Sequence, residues 1–196
     1  MGHKEALLAG AMRCIVERGY AHTKARDIVE ASGTNLASIG YHFGSLENLM
    51  VTALVELHSM WGDRVEDFAA ASADAPVRFR ASWDEMLRQI REDRNTAIAS
   101  IEVLAQAVRS EPVRRTIEAA YREGTPLLLD VFAGSRGERF SEKDRNAAGA
   151  VLLALISGLM VRNLIDPDGT PDSDDIVRAI RILAEVTEDE KEESGR

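Results

Sequence analysis

The 196-residue sequence is poor in cysteine and in aromatic residues. Its one cysteine, Cys14, excludes an internal disulfide framework and is typical of a reducing compartment. The longest run without a charged residue, 146–161, is shorter than the ~20 residues that a membrane-spanning helix needs, and the first residues lack the pattern of a secretory leader. We therefore expect a cytoplasmic protein that has no membrane partner.

Patterns for catalysis and for metal binding are also missing. Four histidines, His3, His22, His42 and His58, show no metal-ligand spacing with one another or with Cys14. No glycine-rich phosphate loop follows a strand, and no serine lies in a nucleophile-elbow pattern. The sequence thus predicts a protein that is not an enzyme and that holds no metal and no cofactor.

Basic residues are outnumbered, because 24 lysines and arginines face 33 aspartates and glutamates, for a formal net charge of −9. The excess is not spread evenly. In the first 48 residues five basic side chains offset five acidic ones, so the later residues carry all of the negative charge. An acidic segment at 189–196 is predicted to be a disordered tail.

Helical periodicity runs along the whole sequence, and no alternating segment of useful length predicts a strand. The pattern predicts an all-α fold of about nine helices. Capping residues mark the first four helices: Gly19 and Gly33 end the first two, Thr23 begins the second, Asn35 the third and Ser45 the fourth. The later helices are expected to begin near Pro76, at 95, 112 and 142, and at Thr170-Pro171.

Two short helices joined by Gly33-Thr34 and followed at once by a long one form a helix-turn-helix pattern. Such an arrangement props the second short helix, 36–42, outward, with its first turn free to enter a DNA groove. We expect Leu36 or Ala37 to anchor it together with Ile39 and Phe43. An ordinary helical corner that never contacts DNA has the same spacing and stays an alternative. The polar face of this helix carries Asn35, Ser38, Tyr41 and His42.

Four motifs lie between Ala6 and about Met50: Ala11-x-x-x-Ile15-x-x-x-Gly19-Tyr20, Thr23-x-x-Arg26-Asp27-Ile28, Ala31-x-Gly33 and the run from Asn35 to Ser45. Through these motifs the segment resembles the tetracycline-repressor (TetR) family of transcription regulators. The resemblance implies a DNA-binding surface made by Thr23, Lys24, Thr34, Asn35, Ala37, Ser38, Tyr41 and His42, with Tyr41 and His42 on phosphates.

The sequence departs from the family pattern at two positions. Gly40 stands where the family usually has asparagine or tyrosine, and Leu46 stands where it usually has a lysine directed at the DNA backbone. An interior glycine weakens a helix, and a lost phosphate contact lowers both the affinity and its salt dependence. We therefore expect DNA binding that is weak or unusual in its specificity.

A very apolar helix at 142–165 carries small residues spaced by four, which let a second helix approach closely. Burial within the same subunit and a two-fold dimer interface both explain this stripe. The family forms dimers in this way, which would place two reading helices about 34 Å apart on a palindromic site. The residues assigned to the dimer interface are Ala150, Ala154, Gly158, Leu155, Ile176 and Ile180.

Wide and flexible apolar side chains on the middle helices can line a pocket for a hydrophobic or amphipathic effector, although such residues more often belong to an ordinary core. The resemblance, not the spacing, raises the idea of a pocket. These residues are Trp61, Phe68, Phe79, Trp83, Met86, Tyr121, Phe132 and Met160.

Two functions of different class follow. The first is a ligand-responsive, dimeric repressor that binds a palindromic operator and is released by a small effector. It has a helix-turn-helix domain at 1–46, a ligand-binding and dimerisation domain at 47–188 and the tail at 189–196. The second is an all-α ligand-binding or protein-interaction module with a weakened helix-turn-helix.

Overall fold

A computed structural model describes residues 2–70 and 74–193 of the chain, and within these residues nine α-helices and no strand are found. The predicted all-α fold is confirmed. A short 3-10 helix, Gly134–Arg139, precedes α8. The helices are α1 (His3–Arg18), α2 (Ala25–Ser32), α3 (Leu36–Phe43), α4 (Leu46–Ala70), α5 (Ala75–Glu92), α6 (Arg94–Ala107), α7 (Glu111–Ala133), α8 (Glu142–Ile165) and α9 (Ser173–Glu193).

Local capping chemistry fixes both ends of α3, as predicted. Gly33 has φ 65° and ψ 26°, the left-handed conformation that ends α2. The Asn35 side chain accepts a hydrogen bond from the Ser38 amide at 3.1 Å, and the Ser45 hydroxyl accepts one from the Asn48 amide at 3.0 Å. As a result only two residues separate the end of α3 from the start of α4.

Two predicted helix starts are wrong. Thr23 does not cap α2, because its hydroxyl donates to the Gly19 carbonyl at 2.8 Å and the Asp27 carboxylate accepts from the Lys24 amide instead. The helix therefore begins two residues later than Thr23, at Ala25.

The last helix likewise begins after Thr170-Pro171. Asp172 is its cap, since the carboxylate accepts from the Asp175 amide at 2.8 Å, while the Thr170 hydroxyl donates back to the Asp166 carbonyl. At its other end α9 continues to Glu193, into the segment 189–196 that was predicted to be disordered. Residues 194–196 lie outside the described residues.

Two hydrophobic cores organise the helices, and α4 runs through both. The first core joins α1, α2, α3 and the amino-terminal half of α4 to parts of α6 and α7. The second core joins the carboxyl-terminal half of α4 to α5, the start of α6, α7, α8 and α9. Leu57 belongs to the first core and Trp61, one turn later, to the second. A shift of α4 would therefore change the packing of both cores.

The surface of α8 is unusually apolar. By length and composition alone, α8 is long and apolar enough to cross a membrane. The sequence did not predict this, because the run without charged residues is short. The core helix of a soluble protein meets the same two criteria. Only 28% of its most apolar 18-residue window is buried within the subunit. Part of this face is therefore left without a partner inside one chain.

Candidate DNA-binding surface and effector-binding core

The reading helix, α3, is anchored through one face and exposes the other. Ile39 is buried in the first core and Phe43 packs against it, as predicted. The expected third anchor, Leu36 or Ala37, is wrong, because both side chains are exposed, Leu36 by 52%. Residues spaced by one, three and four share a helix face, so the outward face consists of Leu36, Ala37, Gly40 and Tyr41.

Tyr41 is the most prominent side chain of this face, with 85% of its surface exposed. Its ring meets that of His42 edge to face, with centroids 4.8 Å apart. His42 is half-buried beside it. The Tyr41 phenol and the His42 imidazole are therefore neighbours at the carboxyl end of α3, where both can donate to phosphate oxygens.

Asn35 and Ser38 are held by each other rather than left free. The Asn35 side-chain oxygen accepts from the Ser38 amide and from the Ser38 hydroxyl, at 3.1 and 3.2 Å. Ser38 is buried, and its hydroxyl also lies 3.4 Å from Nδ1 of His3 in the first turn of α1. These contacts fix the first turn of α3.

The other predicted DNA-facing residues lie in the two turns around α2. Lys24 is exposed at the start of that helix. Thr34 is half-buried with its hydroxyl 2.7 Å from that of Ser32. Thr23 is buried and bonded to Gly19. The structure thus leaves Lys24, Asn35, Ala37 and Tyr41 exposed, leaves Thr34 and His42 half-exposed, and buries Thr23 and Ser38.

Two positions singled out by the sequence now have a structural setting. A Cβ atom added to Gly40 would meet no atom within 4 Å, so packing within the subunit does not require glycine there. Leu46 is half-buried against the first core. Leu36 and Gly40 were missed as members of the outward face, and the helical phase set by Ile39 and Phe43 is the signal that would have found them.

Six of the eight residues predicted to face an effector come together in the second core. Trp61, Trp83, Met86, Phe132 and Met160 are buried there, and Phe79 packs against them. Phe68 and Tyr121 lie apart from this core. Phe68 is 54% exposed near the end of α4, and Tyr121 lines an open groove between α7 and α8.

Three of these rings form an aromatic cluster, which we define as Phe79, Trp83 and Phe132. The ring centroids of Trp83 and Phe132 lie 5.0 Å apart, those of Phe79 and Phe132 5.6 Å, and those of Phe79 and Trp83 6.3 Å. All three pairs meet edge to face, the arrangement that aromatic quadrupoles prefer. The three rings therefore pack as one unit.

The polar groups around this core are largely paired. Trp61 donates its indole N–H to Asp93 at 3.0 Å. Glu85 is buried, and its carboxylate accepts from the Arg88 guanidinium at 2.8 and 2.5 Å and from the Gln89 amide at 3.0 Å. The negative charge of Glu85 is thus already compensated by Arg88.

The residues predicted at the dimer interface divide into two groups. Ala150, Ala154 and Gly158 lie along an exposed stripe of α8. Ile176, in contrast, is buried in the second core and is not available to another subunit, while Leu155 and Ile180 are half-buried against the same core. The exposed large apolar side chains that were missed are Val151, Val161 and Ile165 of α8 and Ile182, Leu183 and Val186 of α9.

Helix α6 connects the second core to the DNA-binding part of the chain at both of its ends. At its start the Asn95 side chain donates to the Val16 carbonyl of α1 at 2.7 Å. At its end the Gln106 amide donates to the Glu47 carboxylate, in the first turn of α4, at 3.0 Å. Polar contacts thus supplement the apolar contact between α6 and the first core.

Comparison with known proteins agrees with this geometry. Residues 7–53 match the model of the tetR family of bacterial regulatory proteins, and residues 76–187, more than half of the chain, match the carboxyl-terminal domain of BetI-type transcriptional repressors. The transcriptional repressor AcnR of Corynebacterium glutamicum is 28% identical over 142 residues, which are 66% of this chain and 74% of AcnR.

Two further proteins are similar over most of their length. The transcriptional regulator BetI of Rhizobium meliloti is 29% identical over 81% of this chain and 76% of BetI. A transcriptional regulator from Saccharomonospora viridis, solved in complex with choline, shares the fold with a TM-score of 0.58 and 23% identity, over 93% of this chain and 95% of the other. The chain therefore belongs to the tetR family of bacterial regulatory proteins and is a transcriptional regulator.

Proposed function

We propose that this regulator is a cytoplasmic, homodimeric repressor that binds a palindromic operator through α3 and releases it when a small hydrophobic or amphipathic effector enters the second core. The observation that carries the proposal is the outward face of α3. A short helix is held by Ile39 and Phe43 and capped by Asn35, and it exposes Tyr41 and three smaller or aliphatic residues. No enzymatic step is part of the proposal.

The DNA contacts follow from exposure. Ala37 and Gly40 let the first turns of α3 approach base edges, while Tyr41, His42 and Lys24 supply donors for phosphates. Thr23 and Ser38 act indirectly, since their hydroxyls hold the turn and the first turn of α3 in place. Asn35 both caps α3 and faces outward.

Dimer formation is supported by the apolar face of α8 and α9. Its large members, such as Leu183 at 66% exposure, cost free energy if they stay in water. A two-fold interface along the small-residue stripe of Ala150, Ala154 and Gly158 covers them. Two copies of α3 would then address successive major grooves, about 34 Å apart on one side of the duplex.

Release by an effector is supported by the path of α4. This helix begins two residues after α3 and passes through both cores, so a rearrangement in the second core changes the position of α3. The effector must favour the conformation that does not bind DNA by a few kcal/mol to act as a switch.

The second function, a ligand-binding or protein-interaction module without DNA binding, is favoured by one observation. Leu46 packs against the first core at a position where the family usually has a lysine directed at DNA. If other contacts do not compensate, the affinity for DNA is too low to matter.

A mobility-shift titration on the segment upstream of the gene separates the two functions. At low salt we expect retardation by the full chain and a large loss in Tyr41→Ala. Phe140→Ala is the matched control, since Phe140 is 54% exposed but precedes α8, in the effector-binding part of the chain. Leu46→Lys should strengthen binding by adding a phosphate contact. Absence of retardation in all four proteins, each shown to be folded, would favour the second function.

A further inference from the structure

Trp83 has an indole N–H without a hydrogen-bond partner, although its side chain is 0% exposed. Buried tryptophan N–H groups are nearly always paired, because an unpaired donor loses its hydration and gains nothing in return. Trp61, in the same core, follows that rule and donates to Asp93 at 3.0 Å. Of the two tryptophans of the chain, Trp61 thus has a paired indole N–H and Trp83 an unpaired one, which a ligand could bind.

The other unpaired buried atoms in the described part of the chain belong to side chains that are paired through another atom or are only half-buried. Gln89, Asp130 and Arg145 each form a hydrogen bond or an ion pair through another atom of the same side chain. Glu102 is only half-buried. Trp83 differs because its single polar atom is the unpaired one and the whole side chain lies in the core.

The surroundings of Trp83 are apolar and adaptable. Phe79 and Phe132 pack against its ring, and Met86 and Met160 are buried in the same core. Methionine has three rotatable bonds and adjusts to irregular shapes, so this core can repack around a molecule of the size of a benzene derivative. Phe79 is only half-buried.

A charged ligand is unfavourable beside Trp83 in the second core. An ion buried among apolar side chains needs a counter-ion, and the carboxylate of Glu85 is already bonded to Arg88 and Gln89. Trp83 and Phe132 are both 0% exposed, so these two rings offer no open face to a quaternary ammonium group.

We infer that the effector is a neutral, largely apolar molecule with a hydrogen-bond acceptor, such as a ketone or ester carbonyl, that accepts from the indole N–H of Trp83. The inference rests on the proposed function in taking the second core as the effector site. It goes further in naming the atom that recognises the ligand and the ligand class. It also excludes the kind of cation found in the S. viridis regulator.

Acetophenone and ethylbenzene test this inference, because they have nearly the same shape and differ in a carbonyl oxygen. Binding of each to the full chain is measured by calorimetry in the absence of DNA. Trp83→Phe removes the N–H and keeps an aromatic ring, and Trp61→Phe is the matched control that removes a paired N–H. We expect acetophenone to bind about fivefold to tenfold more tightly than ethylbenzene in the unmodified chain and in Trp61→Phe, and equally in Trp83→Phe.

A measurement on the unmodified chain covers the case in which Trp83→Phe does not fold. Two indole N–H signals are expected in a nitrogen-correlated proton spectrum, one per tryptophan, and Trp61→Phe assigns them. Acetophenone should move the Trp83 signal downfield, and ethylbenzene should not.

Three results would overturn the inference: equal affinity for the two compounds in the unmodified chain, binding of neither up to its solubility limit, or tighter binding of choline than of acetophenone. DNA binding is measured separately and without any compound. Its absence would contradict the proposed function while leaving the result on Trp83 intact.

Discussion

Nε2 of His58 lies 2.7 Å from the hydroxyl oxygen of Ser100 and joins α4 to α6 where the two cores meet. The Ser100 hydroxyl donates its own hydrogen to the Thr96 carbonyl at 2.7 Å. The hydrogen between His58 and Ser100 therefore comes from Nε2, so this nitrogen carries a proton. Burial lowers the pKa of His58 to about 4, so the imidazole is neutral near pH 7 and Nε2 holds its one proton.

This relationship predicts a loss of stability in mild acid. In the unfolded chain the imidazole has a pKa of about 6.5. Between this pH and the lower pKa of the folded state, the unfolded chain binds a proton on His58 and the folded chain does not. Above pH 6.5 the protonation of His58 does not change the free energy of unfolding. As the pH falls from 6.5 towards 4, this free energy decreases by up to about 1.4 kcal/mol per pH unit. Between pH 7.5 and 5 the unmodified chain should lose about 2 kcal/mol more than His58→Gln, as measured by urea unfolding.

His22→Gln is the control for this experiment, because His22 is exposed in the turn between α1 and α2. It should lose the same stability in acid as the unmodified chain. An identical pH dependence in the unmodified chain and in His58→Gln would show that His58 does not resist protonation in the folded state.

A second prediction concerns the contact between α7 and α8. A Cβ atom on Gly149 would lie 2.0 Å from the Thr125 carbonyl oxygen, which is backbone and cannot turn aside. Gly149→Ala should therefore lower the free energy of unfolding by about 2 kcal/mol or more, despite the better helix propensity of alanine.

Gly62→Ala in α4 is the matched substitution, since nothing lies within 4 Å of the added atom. It should leave the stability unchanged or raise it by up to about 1 kcal/mol. The unfolding temperatures of the two variants, measured under the same conditions, test this prediction. Equal unfolding temperatures would mean that α7 and α8 are not packed this closely.

A third prediction concerns the dimer. Leu183→Glu places a charge in the proposed interface and should convert the dimer into monomers of 21.5 kDa in sedimentation velocity, without unfolding the helices. Val77→Glu changes a valine that is 54% exposed in the first turn of α5 and should remain dimeric. A Leu183→Glu protein that sediments as a dimer would refute the interface.

The sequence predicted what local chemistry determines. The cap at Asn35, the left-handed Gly33 and the start of α8 after Ser141 depend on neighbours within four residues, and all three agree with the structure. Thr170-Pro171 also looked like a helix start, but the carboxylate of Asp172 caps α9 two residues further on.

The orientation of side chains was less predictable, because it depends on distant helices. The anchoring face of α3 is set by the first core, which packs against Ile39 and Phe43 and leaves Leu36 outside. Periodicity alone could not separate Ile176, which faces the second core, from Leu183 two turns later, which faces outward. The unpaired N–H of Trp83 could not be predicted from the sequence, since it depends on the side chains that five other helices contribute to the second core.

The position of α3 on DNA tests the central claim most directly. A hydroxyl-radical footprint of the full chain on the duplex upstream of its gene, at low salt, should show two protected stretches about one helical turn apart on the same side of the duplex, both lost in Tyr41→Ala. A folded dimer that leaves every position of the duplex unprotected, or a Tyr41→Ala protein with an unchanged footprint, would contradict the claim that α3 reads the operator.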